Sequence, residues 1–248
     1  MAMSKVLVNF VQDRSGSMAS CWDETLSGFK KFVEDLREKG PKDGVEYLLS
    51  MTTFDTLVES PIMAKPIAEV DTGELAKHGP RGCTALYDAV GATIENTSAD
   101  DRGAEKIICV VVTDGYENSS REWTKDRLHK TVDAKLNLGN WTFVYLGTQP
   151  ETWAEAGAIG VGAGSISTYQ PEMARAAYAF TSEALHSLAS SPMAGSRNLF
   201  QDHAKANDAA AAGMKVTPVV PCPDPKAVSV PKAPHLSWRK TVGSASNR

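Results

Sequence analysis

Apolar and polar positions follow two alternating rhythms along the chain. Val6-Leu7-Val8-Asn9-Phe10-Val11 is a nearly unbroken apolar run and predicts a buried strand over Lys5–Gln12. Leu26, Phe29, Phe32, Val33 and Leu36 then fall three and four apart, one face of a helix over Trp22–Lys39 that Gly40-Pro41 is expected to stop. Val45–Phe54 returns to strand character, and Asp55-Thr56 predicts a turn into a short strand at Leu57–Ser60, a hairpin at one edge of a sheet. Residues 61–83 carry Pro61, Pro66, Gly73, Gly79, Pro80 and Gly82 and read as a loop with one short helical turn. Leu86, Val90 and Ile94 mark a helix at Ala85–Asn96. Ile107-Ile108-Cys109-Val110-Val111-Val112, within Glu105–Thr113, has the β-branched continuity of a central parallel strand covered on both faces.

The second half repeats the alternation. A helix is expected at Trp123–Leu138 with Gly139 as its cap, a strand at Trp141–Leu146 and a short helix at Pro150–Ala158. A glycine-rich loop at Gly160–Gly164, a last strand at Ser165–Tyr169 and a long helix at Pro171–Ser190 follow. Strands alternating with helices predict an α/β fold. We expect a doubly wound, Rossmann-like, mostly parallel sheet of about six strands, with one antiparallel edge strand and helices on both faces.

Composition divides the chain. Residues 191–248 hold eight basic and three acidic side chains, a net +5, which leaves residues 1–190 at -9 of the total of -4. An acidic body argues against nucleic acid as a partner. No apolar run has the length of a membrane span, and no signal peptide is read at the N-terminus, so a cytoplasmic protein is expected, a virion component being a second option. Residues 191–213 read as a helical or linker extension. Residues 214–248 read as a Pro-rich extended arm, since Pro218, Pro221, Pro223, Pro225, Pro231 and Pro234 exclude a helix or central strand. Trp238 could anchor that arm on the body of the protein or on a partner.

The candidate chemistry begins in Asp13-Arg14-Ser15-Gly16-Ser17-Met18, between the first strand and the first helix. Side chains two apart on an extended loop point the same way, so Asp13, Ser15 and Ser17 can converge on a hard divalent cation. The competing reading is a helix entry with a serine cap. Two further loops matter. Thr84, in Gly82-Cys83-Thr84-Ala85-Leu86, opens a helix and alone would read as its cap; Asp114, in Thr113-Asp114-Gly115, ends the central strand and alone would read as a turn residue. All three loops fall at the carboxyl edge of the sheet, where ligands of open α/β sheets bind.

On these residues the chain resembles a von Willebrand factor type A (vWA) domain over about residues 4–190, in the style of intracellular bacterial or phage members. The family's metal-ion-dependent adhesion site (MIDAS) combines an Asp-x-Ser-x-Ser loop, a Thr and an Asp, and Asp13, Ser15, Ser17, Thr84 and Asp114 match it in order. The resemblance implies a magnesium site. Ser15 and Ser17 would coordinate directly, with Thr84 or an Asp acting directly or through water, and a Glu or Asp of a partner protein would complete the shell. Manganese would fit the same oxygens and calcium fits less well. An AAA+ ATPase or an assembly partner is the kind of protein some members act beside.

Other readings compete. The chain could be an assembly component, for example of a phage particle, that binds mainly through its arm. It could be a metal hydrolase, for which Glu117, Asp23, Glu24 and His78 are the available bases, although HExxH and Gly-x-Ser-x-Gly motifs are absent. Gly160-Val161-Gly162-Ala163-Gly164 has the wrong spacing for a dinucleotide fingerprint, and there is no Walker sequence. His129 is expected on a solvated helix face and His78 on the surface. Cys21 and Cys83 each flank a metal loop, as a redox pair or as two unrelated thiols.

Overall fold

The computed structural model describes residues 3–148 and 152–207. Its centre is a six-stranded sheet in the order β3-β2-β1-β4-β5-β6. The strands are β1 (Ser4–Asp13), β2 (Val45–Phe54), β3 (Val58–Pro66), β4 (Lys106–Thr113), β5 (Trp141–Gly147) and β6 (Ile166–Thr168). Only β3 is antiparallel to its neighbour. The helices are α1 (Trp22–Lys42), α2 (Leu86–Ala99), α3 (Lys125–Asn137), α4 (Thr152–Ala158), α5 (Ala174–Ser190) and α6 (Leu199–Asn207). The expected α/β architecture is therefore the observed one.

Alternation along β1 builds two cores. Val6, Val8 and Phe10 face α1 and α5, meeting Phe29, Phe32, Leu36, Tyr178 and Leu185. Leu7 and Val11 face the other way, with Ile107, Cys109 and Val111, against Val90 and Ile94 of α2 and Leu128 and Val132 of α3. Burial on both faces is why the sequences of β1 and β4 are apolar runs rather than alternating patterns. Phe200 of α6 closes the first core. Lys106 is also buried there, its ammonium donating to the carbonyls of Leu188, Ala189 and Ser191 at 2.6–2.8 Å, where it caps the end of α5.

Several boundaries differ from expectation. β3 runs on through Pro61 to Pro66, because the outer side of an edge strand needs no N–H from proline. The following loop holds two 3-10 turns, Ile67–Glu69 and Leu75–Lys77, rather than one helical turn. Pro171 opens a 3-10 turn ahead of α5. The expected opening of α4 by Pro150, and the arm at 214–248 with Trp238, lie outside the described residues.

Gly40-Pro41 does not stop α1, which continues to Lys42. Pro41 sits in the last turn, and Asp43 N closes the helix onto the carbonyls of Lys39 and Gly40. Gly40 is there for packing. A Cβ on it would stand 2.8 Å from the Val45 carbonyl oxygen and 3.0 Å from the Tyr47 ring. Helix propensity alone predicts that Gly40→Ala stabilises by about 1 kcal/mol. The contact with fixed backbone predicts instead a loss of about 1–3 kcal/mol. Urea denaturation of the two proteins decides the sign.

Candidate metal centre

β1 and β4 are neighbours, and their carboxyl ends bring Asp13 beside Thr113 and Asp114. The Asp13 carboxylate is fully buried. One of its oxygens accepts the Thr113 hydroxyl at 2.5 Å and the other accepts the Ser15 N–H at 2.6 Å. The Ser15 and Ser17 hydroxyls are 3.0 Å apart, and Ser17 donates to Asp114 Oδ1 at 2.7 Å. Thr84 joins them. A Cβ built on Gly115 would lie 3.4 Å from the Thr84 hydroxyl and 3.6 Å from that of Ser17. All five residues predicted from the sequence thus meet, with Asp13, Ser15 and Thr84 as a buried floor and Ser17 exposed at the opening.

The capping alternatives fail on geometry. Ser15 precedes the 3-10 segment Gly16–Cys21 but makes no side-chain cap bond. α2 follows Ala85, not Thr84, and has no side-chain cap from that position. Its first turn is held by Glu117, which accepts from Tyr87 N, Ser119 N, Ser120 N and the Ser120 hydroxyl at 2.6–2.9 Å. Asp88 answers by accepting from the N–H groups of Arg121, Glu122 and Trp123. Asn118 binds Thr84 from both ends, through Thr84 N to its side chain at 2.8 Å and its own N–H to Thr84 O at 3.0 Å. The second and third loops therefore form one unit.

The first and second loops are joined by residues that carry no ligand. Arg14, between the motif's Asp and Ser, turns away from the centre and is buried. Its Nε is 3.2 Å from Asp55 Oδ2 and its Nη2 pairs with Glu59. Asp55 is itself buried and also holds Arg81 Nε at 2.7 Å. Arg14 N bonds Phe54 O, Arg81 N bonds Arg14 O, Gly16 N bonds Gly82 O and Ala85 N bonds Asp55 O. Gly82 adopts φ +67, and a Cβ there would meet the Thr56 hydroxyl at 2.7 Å. Spacing along the chain gave no sign of Asp55. Its position at the carboxyl end of β2, on the ligand-bearing edge, is the signal that could have found it.

Electrostatically the centre is unbalanced. Burial pushes the Asp13 carboxyl up to about 6, against the lowering effect of its hydrogen bonds to Thr113 and Ser15, and Asp114 adds to the rise. Asp114 is raised too, again mainly by burial. Among the described residues, no basic side chain is a leading influence on either. Among the described residues there is also no cluster of three or more His, Cys, Asp or Glu side chains, so the centre is hydroxyl-rich rather than anionic.

The remaining candidates separate from it. Glu117 is spent on its four donors. His78 is half-buried rather than on the surface, its Nδ1 3.3 Å from Arg14 Nη1. His129 is exposed, as expected, and its ring contacts the Ala158 carbonyl. Cys21 and Cys83 are both free thiols, the first buried and pushed up to about 11 by that burial, the second exposed at the rim.

No protein-family profile and no curated protein matches the chain. Solved structures do. Proximal thread matrix protein 1 from the mussel byssus is 18% identical at TM-score 0.55, covering 76% of this chain and 47% of its own. A further form of the mussel protein is described with a zinc-occupied MIDAS motif. A von Willebrand factor type A protein from Catenulispora acidiphila is 16% identical at TM-score 0.53, covering 73% and 42%. The vWF domain of the type V pili tip protein Mfa5 from Porphyromonas gingivalis is 12% identical at TM-score 0.57, covering 75% and 96%. The chain spans about half the length of the mussel and Catenulispora chains. At these identities the likeness is one of fold, and the fold is that of vWA domains.

Two outcomes follow from this geometry. A carboxyl raised from 3.8 to about 6 favours the folded state most when protonated. In EDTA, that contribution is therefore lost as pH rises from about 4 through about 6. Thermal denaturation should show Asp13→Asn as more stable than the unaltered chain at pH 7 and the gap closing toward pH 4. Separately, Asp55→Asn removes the buried acid that the buried Arg14 and the exposed Arg81 share, leaving Arg14 only Glu59, and should cost about 3 kcal/mol or more, whereas Glu59→Gln, at the solvent-facing end of the same network, should cost under about 1 kcal/mol. Urea titrations compare the two.

Proposed function

We propose that the chain is a metal-dependent protein-binding module. The observation that carries this reading is the pair of buried or half-buried carboxylates, Asp13 and Asp114, with no basic partner among the described residues, while the adjacent Arg14 is held away by Asp55 and Glu59. A site that raises two carboxyls and points three hydroxyls at the same place fits a hard cation. Its donors are all oxygen, which suits magnesium or manganese.

In this reading Ser15 and Ser17 are direct ligands, and Asp13, Thr84 and Asp114 bind directly or through water. A bound cation with so few anionic ligands supplies an electrophilic coordination position for a carboxylate from a Glu or Asp of a partner protein. Ser17 and Gly16 are exposed at the opening, with Tyr116 and Leu57 exposed on the neighbouring loops, so the partner's acid would approach across a partly apolar rim. The protein's own work is positional. Thr113 and the Ser15 N–H fix the Asp13 carboxylate, and the Asp55–Thr56 turn and Asn118 fix the loops around it.

A hydrolytic reading has less support, because Glu117 is saturated by four donors and His78 sits against Arg14. Among the described residues no helix is long and apolar enough to cross a membrane.

Isothermal titration with magnesium and manganese chloride should give one saturable site that EDTA reverses. Asp13→Ala should abolish it and Thr84→Ala weaken it by about tenfold or more, a change of about 1.4 kcal/mol or more. Near-ultraviolet circular dichroism should show both variants folded. Partner capture should follow the metal. Equal capture in EDTA and in magnesium refutes the reading, and capture lost on deleting residues 214–248 but kept in Asp13→Ala would assign the interaction to the arm instead.

A further inference from the structure

The sheet face covered by α2 holds a feature that the metal centre does not use. Asn9 interrupts the apolar run of β1 and is fully buried. Its side-chain oxygen accepts the Thr97 hydroxyl at 3.1 Å, and its amide nitrogen has no partner. Turning the amide over exchanges the two roles and still leaves one amide atom unmet. An orphan of this kind is unfavourable in a strand otherwise built of Val, Leu and Phe, and a hydrophobic residue there would be the simpler solution.

Asn9 lines a cavity of about 100 Å³ with Ser50 and Thr52 of β2 and Thr93 and Thr97 of α2. The hydroxyls are already engaged. Thr93 donates to Ala89 O at 2.8 Å and lies 2.9 Å from the Thr52 hydroxyl, and Ser50 accepts Ala64 N at 2.9 Å. That leaves the Asn9 amide as the unanswered group among them. Met63, Ala64 and Arg102 line both this cavity and an outer recess of about 350 Å³, so the two share a wall.

The wall is strained at that junction. Ala64 has φ 41 and Arg102 has φ 56, and among the described residues these are the two non-glycine positions with positive φ. The β2–β3 register also shifts on either side of Met51, along the same stretch of β3. Backbone strain of this kind persists where the surroundings hold it, and it gathers at ligand sites. At the mouth Arg102 Nε and Asp100 Oδ2 are 2.8 Å apart, so they neutralise each other and present no net charge to the cavity.

We propose that this cavity is a binding site for a small neutral polyol, one hydroxyl of which meets the Asn9 amide. A hydroxyl both donates and accepts, so it satisfies either amide atom. The absence of net charge disfavours a carboxylate or an ammonium. The inner volume corresponds to about three waters, the scale of glycerol. The site lies on the sheet face opposite α1 and α5 and stands independently of the metal reading.

The test is a 1H–15N correlation spectrum of the full chain in EDTA, titrated separately with glycerol, erythritol, n-propanol and sodium acetate. The expected result is a saturable shift of the Asn9 side-chain amide and of the Ala64 and Thr97 N–H groups with glycerol or erythritol, and none with acetate. Thr93→Met, which fills the cavity, should weaken that binding by about tenfold or more while leaving resonances on the α1–α5 face in place. Linear, unsaturating shifts spread over the surface overturn the proposal. So does a persistent water-to-Asn9 Overhauser effect unchanged by either polyol, which would make water the permanent occupant.

Discussion

The carboxylate of Asp13 is buried with no positive charge among the described residues to answer it, and the loop architecture around it is arranged to tolerate that. Thr113 and the Ser15 amide satisfy its oxygens. Asp114 sits nearby with a raised carboxyl of its own. The residue that could neutralise the pair, Arg14, is next in sequence, yet two other acids claim it. Keeping an arginine one residue away from an unpaired buried carboxylate requires a competing partner that is also buried, and Asp55 is that partner. The β2–β3 turn is therefore as much a part of the centre as the residues that face into it. Through Asp55 and Thr56 it also carries Gly82 and Cys83, and so the strut on which Thr84 stands.

The cost of such a centre is offset elsewhere. β1 and β4 are wholly buried over their apolar runs, and each face of the sheet is covered by its own layer of helices. A scaffold of that kind holds its strand ends in a fixed relation. This is why unfavourable charge can be concentrated in the loops at one edge without loosening the fold.

Much of this was legible in the sequence because it depends on local pattern. Periodicity alone marks β1, β4 and the helices, and the parallel order of the strands puts Asp13 and Asp114 on one edge. What escaped was set by contacts between distant segments. Gly40 looks like a helix stop until Tyr47 and the Val45 carbonyl are found against it. Leu57–Ser60 looks complete as a strand because Pro61 carries the signal of an ending, and only the edge position removes its penalty. Glu117 resembles a free base because the donor that ties it to α2, Tyr87 N, lies far away in the sequence, while its other donors belong to its own turn at Ser119 and Ser120. Asp55 has the sequence signature of a turn and the role of a keystone.

The order of the strands has a consequence for how the protein is made. β1 lies between β2 and β4, so during synthesis it can pair on one side with β2 soon after both emerge, while its other edge waits for β4. The Asp13–Thr113 and Ser17–Asp114 bonds close spans of 100 and 97 residues. Contacts of such separation are slow to form, and an unpaired hydrophobic strand edge is adhesive in the meantime. The centre is thus assembled only after β4 has entered the middle of the sheet. Occupancy of that centre would then report on completed folding as well as on ligand supply, and a chain stalled before residue 106 would leave the β4-facing edge of β1 unpaired.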